Sequence, residues 1–169
     1  MTTVIKNLEH LSLDYSRYAQ RLLQAHPCLK ETLDTALTLA STAEILAMRC
    51  QFLCEQHGVT TGLRLLRAEA ILHLMERDLR GLADLAEVTE TMTLLAEITV
   101  KTALAWHTTQ MRERYGLPLN AQGIAQDLLV VGMGKLGGRE LNVSSDIDLI
   151  YLYEEEGETT GSETSKPIS

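Results

Sequence analysis

Near its C-terminal end the chain carries two apolar, β-rich runs, Leu128-Leu129-Val130-Val131 and Ile147 to Tyr153, joined by a glycine-rich stretch. The stretch has room for about two helical turns and no more. Before residue 116 the apolar residues recur with the period of helices instead. The fold class that follows is α+β: an all-helical domain over 1–115, a connector at 116–126, and a strand–helix–strand unit at 127–153. A polar tail, 154–169, reads as an exposed loop or disordered segment.

The helical part is punctuated by local signals. Leu11, Leu13, Tyr15, Tyr18, Ala19, Leu22 and Leu23 predict a helix over about 11–25, ended by His26-Pro27, because proline disfavours helix in the residue before it. Leu29 to Ala40 reads as a second helix. Ser41-Thr42-Ala43-Glu44 forms a capping box for a third, which runs to about His57 and stops at Gly58. From Thr60-Thr61 a fourth helix carries Leu65, Ala68, Leu72, Met75, Leu79 and Leu82 as one stripe, with Arg64, Arg67, Arg77 and Arg80 on solvated faces. The longest, about Val88 to Tyr115, places Val88, Met92, Leu95, Thr99, Thr102 and Trp106 on one side and is terminated by Gly116-Leu117-Pro118. With one Trp, five Tyr and one Phe, the core must be built from Leu, Ala, Ile, Val and Met, which suits helix packing.

Charge excludes some functions. The net charge is −8, and the tail from Glu154 onward accounts for half of it, so neither part offers the basic surface that nucleic acid requires. No run of about 18 apolar residues is present to span a membrane. The N-terminus, with Lys6, Glu9, His10 and Asp14, lacks the apolar region of a signal peptide. Cys50 and Cys54 share a helix face without a second His or Cys pair at metal-ligand spacing, so they read as packed thiols of a reducing cytoplasm. His10, His26, His57, His73 and His107 read as surface or core residues rather than ligands.

The chemistry concentrates in Gly132-Met133-Gly134-Lys135-Leu136-Gly137-Gly138-Arg139-Glu140-Leu141-Asn142-Val143-Ser144-Ser145-Asp146-Ile147-Asp148. Asp146 and Asp148 stand at i and i+2, so on a strand both carboxylates project to one face and can share a divalent ion. Two metals about 3.5–4 Å apart serve nucleotidyl displacement by activating the attacking oxygen and stabilising the leaving one. Glycines let backbone N–H groups approach phosphates, and Gly137-Gly138 are expected to open the short helix, whose N-terminal dipole favours an anion. Ser144 and Ser145 are hydroxyl donors, and Lys135 is a point charge for a phosphate. Each piece has a bland counterpart. Gly-x-Gly after a strand also opens dinucleotide-binding folds, although the helix here is too short for one, and Asp-x-Asp is common at solvated strand ends. Their order within one short segment favours the functional interpretation.

This segment resembles, nearly residue for residue, the signature of the glutamate–ammonia-ligase (glutamine synthetase) adenylyltransferase family, members of the polymerase-β-like nucleotidyltransferase superfamily. The stretch Leu63 to Leu79, Ala103-Leu104-Ala105-Trp106 and Arg114-Tyr115-Gly116 are similar to the family as well, so the resemblance covers most of residues 15 to 160. It implies that 127–153 is the first β-α-β part of a nucleotidyltransferase palm. It further implies that Asp146 and Asp148 are catalytic and bind Mg²⁺, and that Gly137, Gly138 and Ser145, with Lys135, hold the phosphates of ATP or ADP. The implied partner is glutamine synthetase, together with a nitrogen-signalling regulatory protein, and the implied location is the cytoplasm.

Members of the family carry two such units, one removing AMP from an adenylylated tyrosine by phosphorolysis and one attaching it from ATP. The position of the motif and its Val-Ser-Ser-Asp-Ile-Asp wording are similar to the deadenylylating unit. The alternatives are the adenylylating unit and a non-catalytic helical module that binds a partner. The superfamily's third carboxylate comes from a later strand, and Glu154, Glu155, Glu156, Glu158 and Glu163 follow the acid pair too soon to supply it. The expectation is a fragment, inactive by itself, that exposes a sheet edge and apolar surface.

Overall fold

The structure, a computed structural model, describes residues 11–14, 16–30, 33 and 37–161. Two short helices, α1 (Leu11–Asp14) and α2 (Arg17–Ala25), precede three long ones, α3 (Ala43–His57), α4 (Val59–Leu79) and α5 (Leu85–Tyr115). The remainder is β1 (Pro118–Asn120), β2 (Leu129–Gly132), the single turn α6 (Gly134–Gly137), β3 (Leu149–Leu152) and β4 (Gly157–Thr159). The chain is thus mostly helical with a small strand content, an α+β arrangement. His10, Tyr15 and Glu163 lie outside the described residues, as does much of the helix expected over 29–40. Of that helix, 28–30 and Leu33 are helical and 37–39 form a turn and bend.

Local chemistry explains the helix limits. Ser16 caps α2 by accepting a hydrogen bond from the Ala19 amide, and Asp84 caps α5 through the Glu87 amide. The cap of α3 is Thr42, whose hydroxyl accepts from the Ile45 amide, so the start lies one residue beyond the expected Ser41. Glu44 then occupies the second helical position. Its carboxyl is held below the ordinary range, first by a backbone hydrogen bond and then by Thr42. Gly58 ends α3 and begins α4, and Gly116 ends α5 at φ +83°. A Cβ on Gly116 would lie 2.1 Å from the Thr160 hydroxyl oxygen, so both conformation and space demand glycine there.

Helix α4 is central. Leu66, Ala70, Ile71 and Leu74 join Leu46, Cys50 and Leu53 of α3 and Val88, Met92 and Leu95 of α5 in the main core. Ala68 and Leu72 face a second cluster with Leu13, Ala19, Leu29 and Leu33. The expected single stripe is therefore a partial view, because two faces are buried. Leu79 and Leu82, at 57 % and 50 % exposure, fall off its end into solvent. The arginines divide as well. Arg64 and Arg67 are exposed, but Arg77 is buried and forks onto Glu87 at 2.6 and 2.9 Å while donating to the Leu37 and Leu82 carbonyls. Arg80 pairs with the buried Glu76. Charge balance and carbonyl acceptors let a guanidinium sit there, as a bare hydrophobic pattern cannot reveal.

The strands form two antiparallel pairs, β2 with β3 (Leu129↔Leu152 to Gly132↔Leu149) and β1 with β4 (Pro118↔Thr159 to Asn120↔Gly157). The second pair corrects the expectation of a plain connector and a structureless tail. Each strand is three residues long and exists through its partner, helped by Gln126, whose side chain accepts from the Glu155 amide at 2.7 Å.

Candidate functional site

The glycine-rich turn sits on α5. Leu136 and Leu141 are buried in the main helical core, with Val143 and Leu149 packed beside them. These apolar positions fix the underside of the segment, and the polar residues between them face outward. The turn also packs against β2. A Cβ on Gly137 would stand 2.6 Å from the Gly132 carbonyl oxygen, so this glycine is required by close approach before any phosphate is considered.

Helix α6 spans only Gly134–Gly137, with Met133 at its N-cap and Gly138 at its C-cap. Gly137 and Gly138 therefore close the helix rather than open it, which corrects the expected placement. The glycine at the entry is Gly134, with φ +53°. At the exit the Arg139 amide donates to the Leu136 carbonyl at 3.2 Å and the Glu140 amide to the Lys135 carbonyl at 2.7 Å, the paired bonds of a Schellman cap. Arg139 takes the left-handed position, φ +57°. Its guanidinium reaches Glu90 at 2.6 and 3.2 Å and Glu97 at 2.8 Å, and the Glu90 bonds hold it protonated more firmly than usual.

Beyond Leu141 the chain turns around Asn142. The Oδ1 atom of Asn142 accepts from the Ser144 amide at 3.2 Å, the Ser144 hydroxyl at 3.2 Å and the Ser145 hydroxyl at 2.8 Å. Ser145 is thus a hydroxyl engaged with Asn142 and half-buried, not a free donor. Asp146 and Asp148 lie in the irregular segment before β3 rather than inside a strand, and both are exposed. The Met133 amide donates to the Asp148 carbonyl at 2.9 Å, which carries the β2–β3 pairing one step past Gly132↔Leu149. The acid loop and the glycine turn therefore meet at one end of the hairpin. Lys135, Gly137 and Gly138 are exposed on the turn, and Asp146 and Asp148 on the loop beside it.

Two exposed carboxylates are a hard, oxygen-only donor set. Among the described residues no group of three or more His, Cys, Asp or Glu is placed to hold a metal ion. An oxygen-only pair is a donor set that fits Mg²⁺, which commonly keeps several waters and takes one or two carboxylates with substrate phosphates. A groove between α5 and the hairpin is lined by Lys101, Leu104, Val130 and Leu149 and by Gly137 and Arg139 of the turn. An apolar cavity of about 220 Å³ lies elsewhere, between α3 and α4 beside Leu29 and Leu33.

Sequence reasoning passed over Asn142, Arg139 and the pair Glu90 and Glu97. Asn142 carried a readable signal, since an Asn followed by Val-Ser-Ser favours a side-chain-closed turn. The glutamates carried none, lying more than forty residues upstream.

The family model for glutamate-ammonia ligase adenylyltransferase matches residues 6–167. Among curated proteins, the bifunctional glutamine synthetase adenylyltransferase/adenylyl-removing enzyme of Aromatoleum aromaticum is 47 % identical over 150 residues, covering 86 % of this chain and 16 % of the relative. The proteins of the same name from Burkholderia pseudomallei and Burkholderia mallei are 48 % and 47 % identical, covering 89 % and 94 % of this chain and 17 % and 18 % of their own lengths. The chain thus spans about one sixth of the length of the curated relatives it matches. No helix among the described residues is long and apolar enough to cross a membrane. On the breadth of the family match and on this identity, the chain belongs to the glutamate–ammonia ligase adenylyltransferase family.

Proposed function

We propose that this chain contributes the nucleotide- and Mg²⁺-binding edge of a nucleotidyltransferase acting on glutamine synthetase, in the deadenylylating direction. The observation that carries this is the meeting of the glycine turn and the acid loop at one end of the β2–β3 hairpin, closed by the bond from the Met133 amide to the Asp148 carbonyl. In the proposed reaction an oxygen of inorganic phosphate forms a bond to the phosphorus of tyrosine-bound AMP. The bond to the tyrosine oxygen breaks, ADP leaves, and the proton carried by the hydrogenphosphate ends on the tyrosine oxygen, restoring its hydroxyl.

Asp146 and Asp148 are the residues that would hold Mg²⁺. When bound, the ion supplies charge neutralisation for the phosphate oxygens. The protein's own contribution is position. Leu136 and Leu141 seat the turn, Asn142 fixes the serines, and Lys135, exposed on the turn, is a positive charge for a phosphate. The amides of Gly137 and Gly138 donate to the Met133 and Gly134 carbonyls at 3.1 and 2.9 Å, so what these exposed glycines would offer a phosphate is room for close approach rather than a donor. The β2–β3 hairpin is proposed as the first part of the palm, to be completed in a longer protein. A nitrogen-signalling regulator and a cytoplasmic setting belong to the same proposal.

Calorimetry of this chain with Mg²⁺-ADP is expected to give measurable binding that Asp148→Ala abolishes. In a protein of the relatives' length, Asp146→Asn is expected to stop ADP release from adenylylated glutamine synthetase and to leave attachment of AMP from ATP intact. Loss of attachment with release preserved would assign the site to the opposite direction. Binding of the target enzyme by this chain, indifferent to Asp148→Ala and without nucleotide binding, would favour the helical partner module.

A further inference from the structure

The nucleotide site as described leaves Arg139 without a role, although it occupies the least ordinary position in the segment. It is the single described residue other than glycine with positive φ, +57°, at the point of a Schellman cap where glycine is the usual occupant. A side chain with a Cβ is disfavoured there. What holds it is on the other side of the groove. The guanidinium spans two glutamates that stand seven positions apart on α5, with three bonds of 2.6, 2.8 and 3.2 Å. Bidentate arginine–carboxylate geometry fixes direction as well as distance.

The consequences follow from chain connectivity. Leu136 and Leu141 anchor the turn from below on either side of Arg139, and the arginine ties its apex laterally to α5. Three fixed points define the orientation of a short rigid segment, where two leave it free to rock. The Asp148 backbone is bonded to Met133, the residue that opens the turn, so rocking of the turn carries the acid loop with it.

We propose that Arg139 is a positioning residue for the metal–nucleotide site, clamping the glycine turn to Glu90 and Glu97 so that turn and acid loop keep one relative placement. The proposal rests on the nucleotide-site assignment above. It touches no reacting atom and acts through the turn.

The test turns on a substitution that a purely backbone role would welcome. Glycine is the residue best suited to φ +57°, so Arg139→Gly preserves the cap, and its melting temperature is expected to stay at or above that of the parent chain. Mg²⁺-ADP affinity, read by calorimetry, is nevertheless expected to fall about tenfold, with Glu90→Gln/Glu97→Gln falling similarly and Arg139→Lys falling less, since an ammonium keeps charge without the fork. Amide hydrogen exchange over residues 132–148 is expected to quicken in Arg139→Gly, while the α3–α4 core stays protected. Full Mg²⁺-ADP affinity in Arg139→Gly, with Asp148→Ala still abolishing binding, would overturn the clamp alone. No nucleotide binding by the parent chain would overturn the site assignment and the clamp with it.

Discussion

Leu141 shows that the signature segment is a packing device as much as a chemical one. It is 2 % exposed and sits in the helical core, so Leu141→Ala is expected to cost about 2–5 kcal/mol in urea unfolding. Asp148→Asn, on an exposed residue, is expected to change stability by no more than about 0.5 kcal/mol while removing a proposed metal ligand. Comparing the two separates fold from function within one segment. Cys54 has a different pH signature. Its thiol is pushed up to about 11 from 9.0, mainly by burial and then by Cys50 beside it. The folded state keeps that proton longer than the unfolded chain. The stability linked to it is therefore intact below pH 9 and declines as pH rises from 9 towards 11. Thiol-reactive dye at neutral pH is accordingly expected to label Cys54 more slowly than the exposed Cys28. At this scale Asp146 and Asp148 stand out in the sequence because Asp-x-Asp is a local pattern, but their place ahead of β3 rather than within it does not. Nor does Arg139, because its role depends on glutamates delivered by a distant helix.

Among the elements, α4 contributes to both buried clusters and leaves little room for change in its interior. Gly62 lies where α4 meets α3, and a Cβ there would be 2.7 Å from the Cys54 Cα and amide nitrogen. Alanine in place of glycine normally favours a helix by about 1 kcal/mol. Here the obstacle is backbone, which cannot swing aside, and overpacking of this kind costs about 1–3 kcal/mol. Gly62→Ala is expected to lower stability in denaturant titration rather than raise it. At the other end of α4, Arg77 binds Glu87 and two carbonyls in a nearly dry site. Arg77→Ala strands that acid and is expected to destabilise by about 3–5 kcal/mol, whereas breaking an exposed pair such as Arg112–Asp127 should cost about 1 kcal/mol or less. Helices α3 to α5 could be read in advance because Thr42, Gly58 and Gly116-Leu117-Pro118 are stop and start signals that act within a turn. Strands β1 and β4 could not. Three residues show no alternation, and Pro118-Leu119-Asn120 becomes a strand only by meeting Gly157-Glu158-Thr159 across nearly forty residues.

Across the whole molecule, α5 joins the two kinds of structure. Its first half supplies Val88, Met92 and Leu95 to the helical core, and Glu90 and Glu97 hold the glycine turn. The α+β character was visible in the change of period near residue 127. The seating of the turn in the helical core was not, since Leu136 and Leu141 look like ordinary members of a loop. The β2–β3 hairpin leaves Leu129, Val131, Ile150 and Leu152 exposed, and the cross-strand pairs Leu129↔Leu152 and Val131↔Ile150 put them on one face. Such a face is expected to bind a hydrophobic dye in the isolated chain, and Val131→Thr/Ile150→Thr, which keeps β-branched side chains, is expected to reduce the signal. Beside this face, Asp146 and Asp148 are proposed to hold a divalent ion next to the glycine turn. Titration of the labelled chain with Mn²⁺ in the presence of ADP tests this directly through paramagnetic broadening of amide resonances. Residues 133–138 and 144–149 are expected to broaden first, and Asp146→Asn/Asp148→Asn is expected to abolish the effect. Broadening centred on Glu154–Glu158, or left unchanged by the double substitution, would contradict this assignment.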